Sequence, residues 1–172
     1  MSRQEWLVWG AETAAARPDL AKAVAEFVSL DVPLGVEAAR WLREEALVND
    51  GSTRTWLLVG EERIEGYFAL CAGQVDLTAT DVATLGLPSG RHRLPAIVLA
   101  WIARHRDTAV SGGALIEIAY GIAQRVSQQI GAVAFALDPG DDAVARVWRG
   151  EPYGFRPAGS GNRLWIPLSL EA

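Results

Sequence analysis

The chain has 172 residues, 50% hydrophobic and 22% charged, which fits a single domain spanning 1–172 with a real core and excludes a disordered chain. No apolar run approaches the roughly 20 residues that cross a bilayer, and residues 1–5 read as no secretory leader, so a cytoplasmic protein without a membrane partner is expected. The net charge of −5 speaks against a nucleic-acid partner, and one cysteine with two histidines excludes an internal disulfide and a structural zinc site.

Trp6–Trp9 is a short apolar run that reads as a first strand. Asp19–Leu30 follows Pro18, and its apolar positions Leu20, Val24, Phe27 and Val28 recur at helical spacing. Val36–Val48 reads as a second helix that buries Trp41, Leu42 and Leu47 and stops at Asn49-Asp50-Gly51. Thr53–Val59 and Ile64–Val75, joined at Gly60-Glu61-Glu62, form a predicted hairpin. Asp76–Arg93 is polar and loop-like. Leu94–Ala103 is almost wholly apolar, the pattern of a strand buried on both faces. Ser111–Ile130 reads as a long helix with Ser111 as N-cap and a stripe of Leu115, Ile118, Ala119, Ile122 and Val126. Gly131–Leu137 follows as a strand, Asp141–Arg149 as a short helix and Phe155–Leu168 as a closing hairpin. These elements imply a mixed α/β fold with helices packed on the sheet.

The segment from the buried strand through 104–110 to Ser111-Gly112-Gly113-Ala114 carries the chemistry. A strand that runs into a glycine-containing turn and a helix start presents unpaired N–H groups at the positive end of the helix dipole, which suits a pyrophosphate. Gly112 and Gly113 let the backbone approach such an anion closely. The plain alternative is a local turn. Basic residues concentrate only at Arg91-His92-Arg93 and Arg104-His105-Arg106, where solvated loop charge is the competing reading. No nucleophile elbow, Walker loop or G-x-G-x-x-G is present.

Several motifs resemble those of the GNAT acyltransferases, nearest the branch that contains the acetyltransferases of toxin–antitoxin pairs. Ala38-Ala39-Arg40-Trp41-Leu42-Arg43-Glu44-Glu45-Ala46 is similar to that branch's L-D-x-W-L-x-x-x-A helix. Gly66-Tyr67-Phe68-Ala69-Leu70-Cys71-Ala72-Gly73 is similar to its G-Y-x-x-L-x-x-G hairpin, and Arg93-Leu94-Pro95-Ala96-Ile97-Val98-Leu99 to its R-L-P-x-x-x-L strand. Asp141–Trp148 and Gly154-Phe155 match its closing helix and G-F strand, so the resemblance spans residues 32–157. It implies a mostly antiparallel twisted sheet with helices on both faces and a splay between the central strands.

The resemblance also implies acetyl-CoA as cofactor, with the backbone of Ile102, Ala103 and Arg104 pairing with the pantetheine arm. The pyrophosphate pattern Q/R-x-x-G-x-G/A falls on Ala109, Val110, Ser111, Gly112, Gly113 and Ala114. Ala109 replaces the leading Gln/Arg, so that contact is missing or supplied by Arg104 or Arg106. Trp148 stands where many members place a tyrosine that acts as acid for the leaving thiolate, and Tyr153 is the candidate substitute, with a packed aromatic beside Phe155 as the plain alternative. His105 and Glu65 are candidate general bases, each with a plainer reading as an ordinary solvated or structural side chain. Trp101 and Trp148 are candidates to line an apolar acceptor pocket, with core packing as the plain alternative.

Three functions follow. The first is an N-acetyltransferase acting on a primary amine of a small molecule or protein. The second is a toxin that acetylates aminoacyl-tRNA and is neutralised by an antitoxin, the one case with a nucleic-acid partner. The third is a degenerate domain that binds coenzyme A or a protein without turnover. A homodimer is a further partner expectation.

Overall fold

The computed structural model describes residues 4–90 and 92–168, so Arg91 of the first basic cluster and residues 1–3 of the leading stretch lie outside the described residues. In chain order the elements are β1 (Glu5–Trp9), α1 (Ala11–Ala16), α2 (Pro18–Ala25), α3 (Pro33–Glu44), β2 (Thr53–Val59), β3 (Ile64–Asp76), α4 (Ala79–Thr84), β4 (Arg93–Arg104), α5 (Gly112–Ile130), β5 (Ala134–Leu137), α6 (Asp142–Arg149), β6 (Arg156–Pro157) and β7 (Leu164–Pro167). The strands form a seven-stranded sheet in the order β1-β2-β3-β4-β5-β7-β6. β1, β2 and β3 pair antiparallel, β7 pairs antiparallel with β5 and β6, and β4 and β5 are the parallel pair. Bonds from His105 N–H to the Glu65 carbonyl and from Leu77 N–H to the His92 carbonyl show β3 and β4 running antiparallel.

Helices α1 and α4 are additions to the predicted order. α1, with the sequence AETAAA, has no apolar stripe and buries no residue. Its first amide is held instead by a distant group, as Ala11 N–H donates to Asp50 Oδ2 at 3.2 Å. α4 starts at a capping box in which Thr78 and Asp81 satisfy each other's backbone amides. The helix expected over Asp19–Leu30 stops at Ala25, because the carbonyls of the following turn have tertiary partners. Arg43 Nη1 donates to the Phe27 carbonyl at 2.7 Å and Arg106 N–H to that of Val28 at 3.1 Å. Leu47 is 42% exposed, contrary to expectation, and Ala46 takes the buried place. Along α5 the buried stripe is Leu115, Ala119, Ala123 and Ser127 at four-residue spacing, with Ile118 left to solvent.

The chain packs as two compact units, the first from the N-terminal side through Cys71 together with Ala100–Ala119. In its core Trp41 of α3 stacks on Tyr67 with centroids 6.1 Å apart, and the Tyr67 hydroxyl donates to the Ala38 carbonyl at 2.7 Å. Burial pushes that phenol far above its ordinary range. The neighbouring Gly66 faces the opposite side of β3. A Cβ there would lie 3.0 Å from Leu115 Cδ1 and 3.1 Å from the Ala103 carbonyl oxygen, so glycine lets α5 approach. Within this unit, helices therefore cover both faces of β3.

Asp50→Ala should free the Ala11 amide and cost about 1 kcal/mol, read as a lower urea midpoint at unchanged slope.

The second unit comprises Ala72–Leu99 and the chain from Tyr120 onward. All four residues of β5 are buried. Phe135 packs edge-on against Tyr120 at 5.7 Å and lies 6.1 Å from Phe155. Gly131, at φ +73°, ends α5 in the left-handed conformation, its N–H returning to the Ser127 carbonyl. The strand predicted from Gly131 accordingly begins only at Ala134.

Candidate functional site

β4 leaves β5 before it ends. Their register runs from Ala96↔Ala134 to Leu99↔Leu137, where β5 stops, while β4 continues to Arg104. On its other edge β4 stays tied to β3 through His105 N–H and the Glu65 carbonyl at 2.8 Å. The Ala103 carbonyl also points toward β3, to within 3.1 Å of a Cβ built on Gly66. Successive residues of a strand alternate the edge to which they offer N–H and C=O. Ile102 and Arg104 therefore turn theirs to the edge away from β3, whereas Ala103 does not.

Past the strand, most amides are tied inward. Arg106 N–H donates to the Val28 carbonyl, Asp107 N–H to His105 Nδ1 at 3.2 Å and Thr108 N–H to the His105 carbonyl at 3.2 Å. Val110 N–H donates to Thr108 Oγ1 and Ala114 N–H to Ser111 Oγ, both at 3.1 Å, the latter being the expected N-cap. The Gly112 and Gly113 amides have no partner among the described residues. A Cβ on Gly112 would meet nothing within 4 Å, so neither packing nor backbone conformation requires glycine there. Arg104 reaches the same loop, its Nη1 donating to the Val110 carbonyl at 3.4 Å. A cleft of about 340 Å³, lined among others by Arg63, Glu65, Thr108 and Ala109, opens beside it.

His105 is not a solvated loop residue. It is 8% exposed, with its ring edge-on to Phe27 at 5.9 Å. Burial first, and then the Arg63 charge, hold its pKa below the ordinary 6.5, with Asp107 and Glu65 pulling the other way. An unfolded chain regains the ordinary value and takes up the proton first as pH falls. The stability contributed by the neutral ring is thus full above 6.5 and is lost from there down toward the lowered folded value. Melting curves should show this acid slope, and His105→Leu should remove its share of it.

Glu65 forms an ion pair with Arg63, Nε to Oε1 at 3.4 Å, with its side chain 15% exposed. Trp101 stacks on Trp41 with centroids 5.5 Å apart, extending the row that includes Tyr67. In the second unit Trp148 lies 5.2 Å from Tyr153 and 5.3 Å from Phe155. The Tyr153 hydroxyl has no hydrogen-bond partner among the described residues, none of which form a cluster of three His, Cys, Asp or Glu able to hold a metal. No helix among them is long and apolar enough to cross a membrane. What sequence reasoning missed is the bracing of the loop by Arg63, which donates from Nη2 to the Asp107 carbonyl at 3.0 Å. The residues are 44 apart in sequence, and no local signal links them.

No protein-family model matches the chain, and no curated protein matches it. Solved structures do. It is similar to AtaT complexed with acetyl-methionyl-tRNA at 16% identity and a TM-score of 0.69, covering 96% of this chain and 95% of that one. It is similar to a tyrosine-to-phenylalanine mutant of KacT at 16% identity and a TM-score of 0.68, covering 95% of each chain. It also resembles an AtaT mutant toxin bound to the C-terminus of the antitoxin AtaR and acetyl-CoA, at 14% identity and a TM-score of 0.66, covering 96% of this chain and 94% of that one. With these GNAT-fold neighbours matched over almost the whole length, the chain has the GNAT fold.

Proposed function

We propose that the chain is a single cytoplasmic GNAT-like domain that transfers an acetyl group from acetyl-CoA to a primary amine. The observation that carries this reading is the pair of unpartnered amides at Gly112 and Gly113, opening a 19-residue helix a few residues after the end of β4. The helix dipole and those amides would receive the diphosphate, with Ala109–Ala114 as the loop and the Arg104 guanidinium beside it. Ile102 and Arg104, in preference to Ala103, would bond the pantetheine amides. The amine would attack the thioester carbonyl and form the carbon–nitrogen bond, giving its proton to Glu65 or water, while the carbon–sulfur bond breaks and Tyr153 protonates the departing thiolate. Holding the reactants together can supply up to roughly 7–11 kcal/mol of barrier reduction in the best intramolecular cases.

For the acceptor, the aminoacyl group of a charged tRNA is favoured by one finding, a complex of the same-fold AtaT with acetyl-methionyl-tRNA. An antitoxin-like partner belongs to the same reading, as an AtaT mutant toxin binds AtaR. Small-molecule and protein amines remain the competing class, consistent with the net charge of −5. The test is transfer of labelled acetyl from acetyl-CoA to charged tRNA and to a panel of small amines and peptides. Transfer to tRNA alone selects the toxin reading, and transfer to small amines or peptides the other. Coenzyme binding without transfer selects the degenerate domain suggested by Ala109 and Trp148. No binding of acetyl-CoA sinks both enzyme readings and leaves of the third only a protein-binding domain.

A further inference from the structure

We propose that His105 is a positioning residue for the coenzyme, its unprotonated Nδ1 holding the Asp107 amide and so the shape of the loop that leads to Gly112 and Gly113. This rests on the acetyl-CoA reading above but departs from a role for His105 as general base. The ring is fixed at both ends. Its own backbone N–H is bonded to the Glu65 carbonyl of β3 at 2.8 Å, and its edge packs on Phe27. From this residue two sets of bonds run into the loop, reaching Val110, two residues before the helix. Nδ1 accepts from Asp107 N–H, the His105 carbonyl accepts from Thr108 N–H, and Thr108 Oγ1 accepts from Val110 N–H. Arg63 and Arg104 close the loop from outside, on the carbonyls of Asp107 and Val110.

A proton on Nδ1 would turn this acceptor into a donor and break the bond that holds the Asp107 amide. A base must be free to take a proton from substrate, yet Nδ1 is already occupied and the residue is 8% exposed. The charged groups facing the ring are Arg63 ahead of β3, Glu65 on β3, and Arg106 and Asp107 on its own loop. Phe27, from the segment after α2, brings no charge.

The test compares wild type, His105→Asn and His105→Leu, with coenzyme A as the probe in calorimetry and acetyl-CoA in steady-state kinetics. Asparagine Oδ1 reproduces the acceptor, so its coenzyme affinity should stay within about twofold of wild type. Leucine removes it and should weaken affinity about tenfold, the factor that one hydrogen bond of about 1.4 kcal/mol supplies. At saturating acetyl-CoA, kcat should change little in either variant. Between about pH 7.5 and about pH 5.5 wild-type affinity should fall more steeply than that of His105→Asn, which has no titrating ring. The asparagine comparison cancels titration of the coenzyme's own phosphates and decides the matter if His105→Leu does not fold. Equal affinity in wild type and His105→Leu, or equal pH slopes in wild type and His105→Asn, overturns the proposal. So does a large kcat loss in His105→Asn at unchanged affinity, which would make His105 a base. If wild type itself binds no coenzyme A, the acetyl-CoA reading and this inference fall together.

Discussion

Gly112→Glu is expected to abolish the stabilisation of the protein by acetyl-CoA while leaving its melting temperature without ligand almost unchanged. The second half follows from the surroundings, since a Cβ at this position meets nothing within 4 Å. Glutamate in the first turn of a helix is itself favourable by about 0.3–1 kcal/mol. The first half follows from the same electrostatics. The new carboxylate would compete for the amides and the positive helix end of the proposed diphosphate site, and it would repel the phosphates. Ligand at 100 times its Kd stabilises a protein by about 2.7 kcal/mol, which for a chain of this size is a shift of about 5–11 °C. Thermal melts with and without millimolar acetyl-CoA measure it. A full shift retained in the variant would place the diphosphate elsewhere.

Phe27→Ala should be the most damaging single change considered. Phe27 is 1% exposed and joins Tyr67, edge-on at 5.7 Å, to His105, edge-on at 5.9 Å. Truncating a buried phenylalanine costs about 3–5 kcal/mol, through lost transfer energy and the cavity left behind. Urea unfolding reads this directly, and a loss below about 1 kcal/mol would mean that the segment after α2 closes over the gap. A second readout concerns the ring beyond. Burial is the largest cause of the lowered His105 pKa, so hydrating the cavity should raise it back toward 6.5. An NMR titration of the imidazole would show that rise.

Much of the scaffold was legible in the sequence because its signals are local. The β2–β3 hairpin was read to within a residue, since β-branched and aromatic runs flank a short polar turn. The apolar run of β4 and the Ser111 cap of α5 were equally plain. What stayed hidden depends on partners far along the chain. The cap of α1 comes from Asp50, 39 residues on, and α2 ends where Arg43 and Arg106 claim its next carbonyls. The glycine pair could be proposed as an anion site from sequence, but whether its amides were free could not. Nor could the pleat of β4 be read, because alternation along an apolar strand does not say which parity faces β3 until the Glu65–His105 bond fixes it. His105 looked wet because it sits among Arg104 and Arg106, and only the approach of Phe27 shows that it is not.

The uneven flanking of β4 bears on how the protein behaves in concentrated solution. Up to Leu99 the strand has β5 beside it, but at Ile102 and Arg104 its outer donors and acceptors face away from β3, beyond the end of β5. A bare stretch of strand edge is a template on which a segment of another molecule can add and seed aggregates. If the pantetheine arm occupies that stretch, the coenzyme is also a chaperone-like cap, and the ligand-free protein is the form prone to self-association. Colloidal stability and saturation with the small molecule would then rise and fall together.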